Sequence, residues 1–171
     1  MKKVLLMLTV ICGLSVAAKA QTSSQTGKFS IGVEAGLPVG DASNSSNFII
    51  GGSLKYDHPI AENTFITGSA GYSKFLMKSE FKDAGYSFYA IPVKVGVKYF
   101  FSPGFYGEGQ LGAAFVTAKL DGLGSNSTTA FAYSPGIGYA FSPNVDLGVR
   151  YEGWSKNGTT SQVALRLAYS F

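Results

Sequence analysis

Few residues in this chain are of the types that usually do chemistry. It has one histidine, His58, and one cysteine, Cys12. His58 precedes Pro59 in a segment that is predicted to be a tight turn, with no recognisable serine or carboxylate constellation around it. No pairing of a nucleophile with a base is therefore predicted. A single histidine also does not supply the several nitrogen or sulfur ligands that a transition-metal site needs. The sequence predicts no catalytic residue, no cofactor and no metal.

A second set of residues is distinctive because its charges alternate with apolar side chains. Lys94 and Lys98, for example, alternate with Val93, Val95 and Val97. A period of two is typical of a β-strand, which would turn the charges to one face and the valines to the other. The charges that share the polar faces of such segments are Glu34, Lys55, Lys94, Lys98, Glu108, Asp146, Arg150, Glu152 and Arg166.

Eight segments with this alternation make up the chain after its first twenty residues. They span 27–39, 46–57, 63–75, 85–101, 104–118, 129–141, 144–155 and 159–171, and the alternation in 63–75 is ambiguous. Tight connections are predicted at 57–63, 102–104 and 142–144, each containing a proline, which suits the second position of a turn. The other connections, at 40–45, 76–84, 119–128 and 155–158, are mostly longer. The pattern predicts antiparallel strands with short turns at one end.

The first twenty residues have the pattern of a cleaved secretory signal peptide. Lys2 and Lys3 precede a weakly polar to apolar run that ends at Ala18. Ala18-Lys19-Ala20 has small residues at the two positions that signal peptidase recognises. Residues 1–20 are therefore predicted to be a signal peptide and residues 21–171 one barrel domain. Removing three of the 14 basic residues leaves 11 against 10 acidic residues, a net charge of +1.

Composition excludes several classes of partner and function. A net charge near zero in the mature chain gives no basic patch for nucleic acid, so no nucleic-acid partner is predicted. Charged residues make up only 14% of the chain, against about a quarter in soluble domains, which leaves room for a membrane protein. No run of 18 apolar residues follows the signal, so any membrane span in the mature chain must be a strand.

Two architectures fit eight alternating strands: a soluble barrel around an apolar cavity, and a membrane barrel with an apolar exterior. The polar faces favour the second, because they are rich in small residues such as Gly32, Gly36, Ala132 and Gly136. Eight strands enclose a narrow interior that small residues and a few long ones can fill. Five basic and four acidic charges would then lie inside. Their near balance predicts a lumen plugged by ion pairs.

The end of the chain carries a family resemblance. Its last strand alternates Val163, Leu165, Leu167 and Tyr169 with smaller or polar residues and finishes on Phe171. Together with the signal and the eight segments, this resembles the small outer-membrane β-barrel proteins of Gram-negative bacteria, the broad OmpA/OmpX/OmpW-like group. The resemblance implies an all-β fold, an eight-stranded antiparallel up-and-down transmembrane β-barrel. It also implies that Leu165, Leu167, Tyr169 and Phe171 form the signal read by the barrel-assembly machinery.

The resemblance and the residues together give expectations for function. The chain is expected to be a monomer in the bacterial outer membrane, in contact with membrane lipid and lipopolysaccharide. Its short turns are expected in the periplasm and its longer loops outside. A structural or surface-interaction role without catalysis is expected. Two alternatives stay open: a narrow OmpW-like pore for small or hydrophobic solutes, and a lipid A-modifying enzyme.

Overall fold

The computed structural model describes residues 27–120, 122 and 124–171, with the side chains of all of these except residues 81 and 82. The predicted signal peptide lies outside the described residues. Eight strands form one closed barrel in which each strand pairs antiparallel with its neighbours in the chain, and β1 pairs with β8. The strands are β1 (Lys28–Val39), β2 (Ser46–Ala61), β3 (Thr64–Met77), β4 (Tyr86–Ser102), β5 (Phe105–Leu120), β6 (Gly124–Ala140), β7 (Val145–Ser155) and β8 (Thr159–Ser170).

The predicted all-β, eight-stranded, antiparallel up-and-down barrel is confirmed, and the differences from prediction lie at strand ends. β2 runs on to Ala61, so His58 lies within a strand opposite Ile66 rather than in a tight turn. β6 begins at Gly124, so most of the loop predicted at 119–128 is a hairpin. In that hairpin Lys119 pairs with Ser125 and Thr117 with Ser127. Cross-strand pairing therefore overrides the turn preference of the serines and asparagines there.

The barrel has two ends of different character. At the end with both described termini, here the turn end, the connections are tight. Gly104 and Asn63 adopt positive φ, of 81° and 63°, which lets the chain reverse within about two residues. At the opposite end, here the loop end, two connections contain short helices, α1 (Ala42–Ser45) and α2 (Ser79–Asp83). Among the described residues, no helix is long and apolar enough to cross a membrane.

The outer wall of the barrel is apolar over most of its height. Val95, Ile137 and Val33 are about two-thirds exposed on its surface. Two tyrosines of β4 lie on this wall, Tyr89 toward the loop end and Tyr99 toward the turn end. Ten residues separate them, which is about 25 Å of height at ~3.3 Å per residue and a strand tilt of ~40°. That height equals the apolar band of outer-membrane barrels, about 25 Å.

The faces of β3, which the sequence left open, are settled by the pairing on both sides. Thr67, Ser73 and Phe75 are buried in the interior, whereas Ile66 and Tyr72 are exposed on the outer wall. The ambiguity in the sequence has a simple cause. Adjacent apolar residues occur at both ends of this strand, so either parity gives an apolar face.

Candidate functional site

All nine charges predicted for the lumen lie inside the barrel and are largely withdrawn from solvent. Glu152 has no exposed surface, and Lys55 and Lys94 are each 4% exposed. The most exposed of the nine side chains, that of Glu108, is 16% exposed. Because a buried charge is costly unless it is paired, the contacts of these groups decide what the interior can do. They form two clusters at different heights.

The central cluster joins three strands through Glu152. Lys94 Nζ on β4 donates to Glu152 Oε1 at 2.8 Å, and Arg150 Nε donates to Glu152 Oε2 at 2.9 Å. The other two guanidinium nitrogens of Arg150 reach Glu34 on β1, with Nη2–Oε2 at 2.7 Å and Nη1–Oε1 at 3.1 Å. Two parallel hydrogen bonds from an arginine to a carboxylate fix both side chains in orientation as well as position. The cluster therefore spans the lumen from β4 to β1.

Arg166 on β8 extends the central cluster toward β2. Its Nη2 donates to Ser30 Oγ at 3.0 Å and its Nε donates to Ser53 Oγ at 2.9 Å. Ser53 in turn donates to Glu34 Oε1 at 2.6 Å. Arg166 also lies 4.0 Å from Asp146, between Nη1 and Oδ1, which links the central cluster to groups nearer the turn end.

The turn-side cluster lies below the central one and includes a charge that the sequence reasoning missed. Lys55 Nζ is 3.1 Å from Glu108 Oε2 and 3.7 Å from Asp57 Oδ1. Lys98 Nζ also contacts Asp57 Oδ2, and it lies 4.7 Å from the centre of the Tyr106 ring. Asp57 was assigned to a turn because Pro59 follows closely. Its alternation with Lys55 was the signal that could have placed it inside.

With Asp57 included, the two clusters together with Asp146 hold five basic and five acidic side chains, and Lys28 lies apart from them at the rim of the turn end, where it donates to the Pro143 carbonyl. Asp146, the remaining acidic member, accepts a hydrogen bond from the Tyr106 hydroxyl at 2.7 Å. The predicted excess of one basic residue is therefore corrected to an even balance. An even balance needs no counter-ion from solvent. Within the described residues, Asp57 Oδ1 and Arg166 Nη1 are buried without a hydrogen-bond partner, although each lies within 4.0 Å of an opposite charge.

Small residues on the facing strands make room for these long side chains. A Cβ at Gly32 would lie 2.7 Å from Arg166 Nε, and one at Gly136 would lie 2.8 Å from the Cβ of Arg150. At Gly138 it would lie 2.3 Å from the Tyr106 hydroxyl oxygen. The glycines on the polar faces therefore set the lumen width that the charges fill.

Little free space remains among the charges. The cavity between the two clusters has a volume of about 40 Å³ and is lined by residues such as Lys55, Lys94, Glu108, Arg150 and Arg166. A cavity of that size holds about three water molecules. A wider cavity of about 420 Å³ lies at the turn end, where Phe65, Phe100 and Lys98 contribute to its wall. Less free space thus remains among the charges than at the turn end.

An apolar cap lies between the charges and the loop end, and the sequence reasoning missed it. It consists of Ile49, Phe75, Phe88 and Trp154, which face inward from four strands. The Phe75 ring is 4.7 Å from that of Phe88 and 5.6 Å from that of Trp154, centroid to centroid. The indole Nε1 of Trp154 donates to Glu152 Oε1 at 3.1 Å, which joins the cap to the central cluster. Trp154 shares the parity of Arg150 and Glu152 in the sequence, but alternation does not show that these rings meet.

The other residues singled out in the sequence lie away from the lumen. Leu165, Leu167 and Tyr169 are about half exposed on the outer wall, and Phe171 follows β8 at the turn end with 65% of its surface exposed. His58 is exposed on β2, with its ring stacked 6.2 Å from that of Tyr56. Within the described part of the chain, no three histidine, cysteine, aspartate or glutamate side chains are grouped to hold a metal ion.

Comparisons with known proteins agree with this architecture. Residues 7–171 match the family model described as outer membrane protein beta-barrel domain. Among solved structures, Ail, the attachment invasion locus protein of Yersinia pestis, is similar at a TM-score of 0.65 and 21% identity, over 85% of this chain and 97% of that one. No curated protein matches the chain.

Two further solved structures are similar over almost their whole length. The N-terminal β-barrel domain of Pseudomonas aeruginosa OprF has a TM-score of 0.60 and 16% identity, over 85% of this chain and all of that one. Neisserial surface protein A has a TM-score of 0.58 and 14% identity, over 88% of this chain and all of that one. At sequence identities this low, the similarity to these structures concerns the fold alone.

Proposed function

The chain belongs to the outer membrane protein β-barrel family. We propose that its lumen is closed to solutes and that it has a structural or surface-interaction role and no catalytic activity. Its family places it in the bacterial outer membrane. The closed lumen and the role are our proposal. The observation that carries it is the occupation of the lumen at two successive heights.

Each of the two heights opposes the passage of ions for a different reason. At the cap, four apolar side chains meet, and an ion would lose its hydration there without gaining a partner. At the central cluster, the long charged side chains leave only about 40 Å³. A permeating ion would have to separate Lys94 from Glu152, and Lys94 would then be a buried charge without a close partner. The cap and the central cluster lie one above the other along the lumen, so opening one of them still leaves the lumen blocked by the other.

Planar-bilayer recordings test the closed lumen. Purified mature protein is expected to insert without producing a stable, well-defined open state, and the current should stay at the level of protein-free bilayers. Insertion is checked on the same sample by the different gel migration of unboiled and boiled protein, since a closed barrel has no free edge from which to unravel. A reproducible unitary conductance in inserted protein would contradict the closed lumen.

The same recordings separate this proposal from the narrow OmpW-like pore. The turn-end cavity of about 420 Å³, with Phe65 and Phe100 in its wall, is the feature that favours a solute-binding role. Lys98 and Asp57 of the turn-side cluster line its wall, however, so we interpret it as a vestibule below the clusters. A pore would conduct ions, and its solute would reduce that current. A barrel with a closed lumen has no such current to reduce.

We also propose that residues 1–20 are removed on export and that the last strand is the assembly signal. The assembly signal is supported by the outward position of residues in the last strand. Leu165, Leu167 and Tyr169 form an apolar row on the outer face of the strand that closes the barrel against β1. The barrel-assembly machinery would read this row together with Phe171.

Deleting Phe171 should lower the amount of protein that reaches the outer membrane, whereas Phe171→Tyr should leave it nearly unchanged because an aromatic ring is retained. Immunoblots of fractionated membranes measure both variants. The deletion removes one residue after β8 and one backbone hydrogen bond, from Phe171 N to Phe29 O at 2.9 Å, so the barrel itself should lose little stability in detergent. Equal outer-membrane amounts of the deletion variant and the wild type would contradict the role of Phe171.

A further inference from the structure

Two lysines break the apolar character of the outer wall. Among the strand residues that the structure describes, Lys74 on β3 and Lys119 on β5 are the only charged side chains on the outward faces. Both are exposed, and within the described residues neither makes an ion pair. Every other strand charge turns to the interior. Two unpaired positive charges on an otherwise uncharged wall therefore need an external partner or a solvated position.

The two lysines flank one tyrosine ring. Tyr89 on β4 pairs with Lys74 on one side and with Thr117 on the other. Lys119 lies two residues beyond Thr117 on the same face, and its Nζ is 5.5 Å from the centre of the Tyr89 ring. The ring of Tyr72 lies 5.7 Å from that of Tyr89. Three adjacent strands thus present two ammonium groups and two phenol rings within one patch, here called the Tyr89 patch.

The height of the Tyr89 patch identifies the part of the membrane that it meets. Tyr89 lies about 25 Å above Tyr99, the thickness of the apolar band of such barrels. The ring therefore lies at the edge of the hydrocarbon, where tyrosine bodies are apolar and their hydroxyls reach water. Lys74 lies level with it and Lys119 lies further toward the loop end. Their ammonium groups are at the height of lipid headgroups.

We propose that the Tyr89 patch binds a phosphate group of an outer-leaflet lipid, of the kind carried by the lipid A part of lipopolysaccharide. Ammonium groups and phenol hydroxyls are both donors to phosphate oxygens, and the apolar wall below them suits acyl chains. The inference rests on the proposed function for its orientation, because the loop end must face the outer leaflet. It adds to that function a defined lipid site on one side of the barrel.

Native mass spectrometry of the protein released from phosphatidylcholine nanodiscs containing bisphosphorylated lipid A tests the site. Each basic residue near an anionic lipid surface contributes roughly a factor of five to binding, so K74Q/K119Q should retain lipid A about 30-fold less than the wild type. The matched control is K156Q. Lys156 is an exposed lysine at the loop end whose ammonium group donates to Thr128 Oγ1 and lies outside the Tyr89 patch, so its loss should leave retention unchanged.

Three outcomes would overturn the site. They are equal retention by K74Q/K119Q and the wild type, an equal loss in K156Q, and wild-type retention of dephosphorylated lipid A as strong as that of the phosphorylated form. The variants change only outward side chains, and the gel shift of unboiled samples verifies that they fold. Lipid retention does not depend on the lumen, so a conducting barrel would refute the proposed closed state and leave this test unaffected.

Discussion

Replacing Glu152 with glutamine is expected to lower the free energy of unfolding by about 3–5 kcal/mol, the cost of removing one partner from a buried ion pair. Glu152 is fully buried and accepts hydrogen bonds from Lys94, Arg150 and Trp154. After the change Lys94 keeps no close anionic partner in the barrel interior. Urea titration of protein folded into phosphatidylcholine vesicles, followed by tryptophan fluorescence, measures the effect.

A matched control and a rescue make this result specific to the buried pair. Glu62→Gln changes the same chemical group in an exposed turn, and it should alter stability by less than about 0.5 kcal/mol. The double variant K94Q/E152Q should be more stable than E152Q alone, because it removes the uncompensated ammonium group. Arg150 keeps Glu34 in both. If E152Q and E62Q behaved alike, the central cluster would not be the buried network described above.

Replacing Val95 with lysine is expected to cost about 2–4 kcal/mol, because Val95 lies near the middle of the apolar wall between Tyr89 and Tyr99. The same change at Phe101, two residues beyond Tyr99 toward the turn end, should cost only about 0–1 kcal/mol. Both side chains are more than half exposed on the outer surface. A difference in stability between the two lysine variants therefore cannot come from burial within the protein. It must come from their different depths in the membrane.

The same vesicle titrations measure both lysine variants. In detergent micelles, where depth is less well defined, the gap between V95K and F101K should narrow. A soluble barrel would tolerate both changes equally, since water would solvate either lysine. Equal costs for the two variants in vesicles would therefore contradict the assignment of the outer wall to lipid.

The faces of the strands could be predicted from the sequence because side-chain direction in a strand has a period of two residues. An error of one residue in the assignment of a strand's faces would have turned its charges outward. In segments such as 85–101, the regular alternation of valines and lysines prevents that error. Strand ends were less predictable. At Asp57 and His58 the nearby proline suggested a turn, but a bulge between Pro59 and Ala61 lets the strand continue to the barrel rim.

Which charges pair inside could not be predicted from the sequence. Glu34 and Arg150 are 116 positions apart and lie on strands that are not adjacent. Their meeting depends on the stagger between strands around the closed barrel, and alternation does not specify that stagger. The cap was missed for the same reason. Phe75, Phe88 and Trp154 each follow their own strand's parity, but only their common height brings the three rings into contact.

Fluorescence quenching by bromine-labelled lipid chains measures directly which face of the strands meets lipid. Trp154 is the only tryptophan and is 3% exposed inside the barrel, so the wild type is its own inward probe. The outward probe is V97W/W154F, since Val97 is half exposed on the wall. We expect strong quenching of V97W/W154F and hardly any of the wild type in the same vesicles. Stronger quenching of wild-type Trp154 than of V97W/W154F would contradict an apolar wall in lipid around a charged, closed lumen.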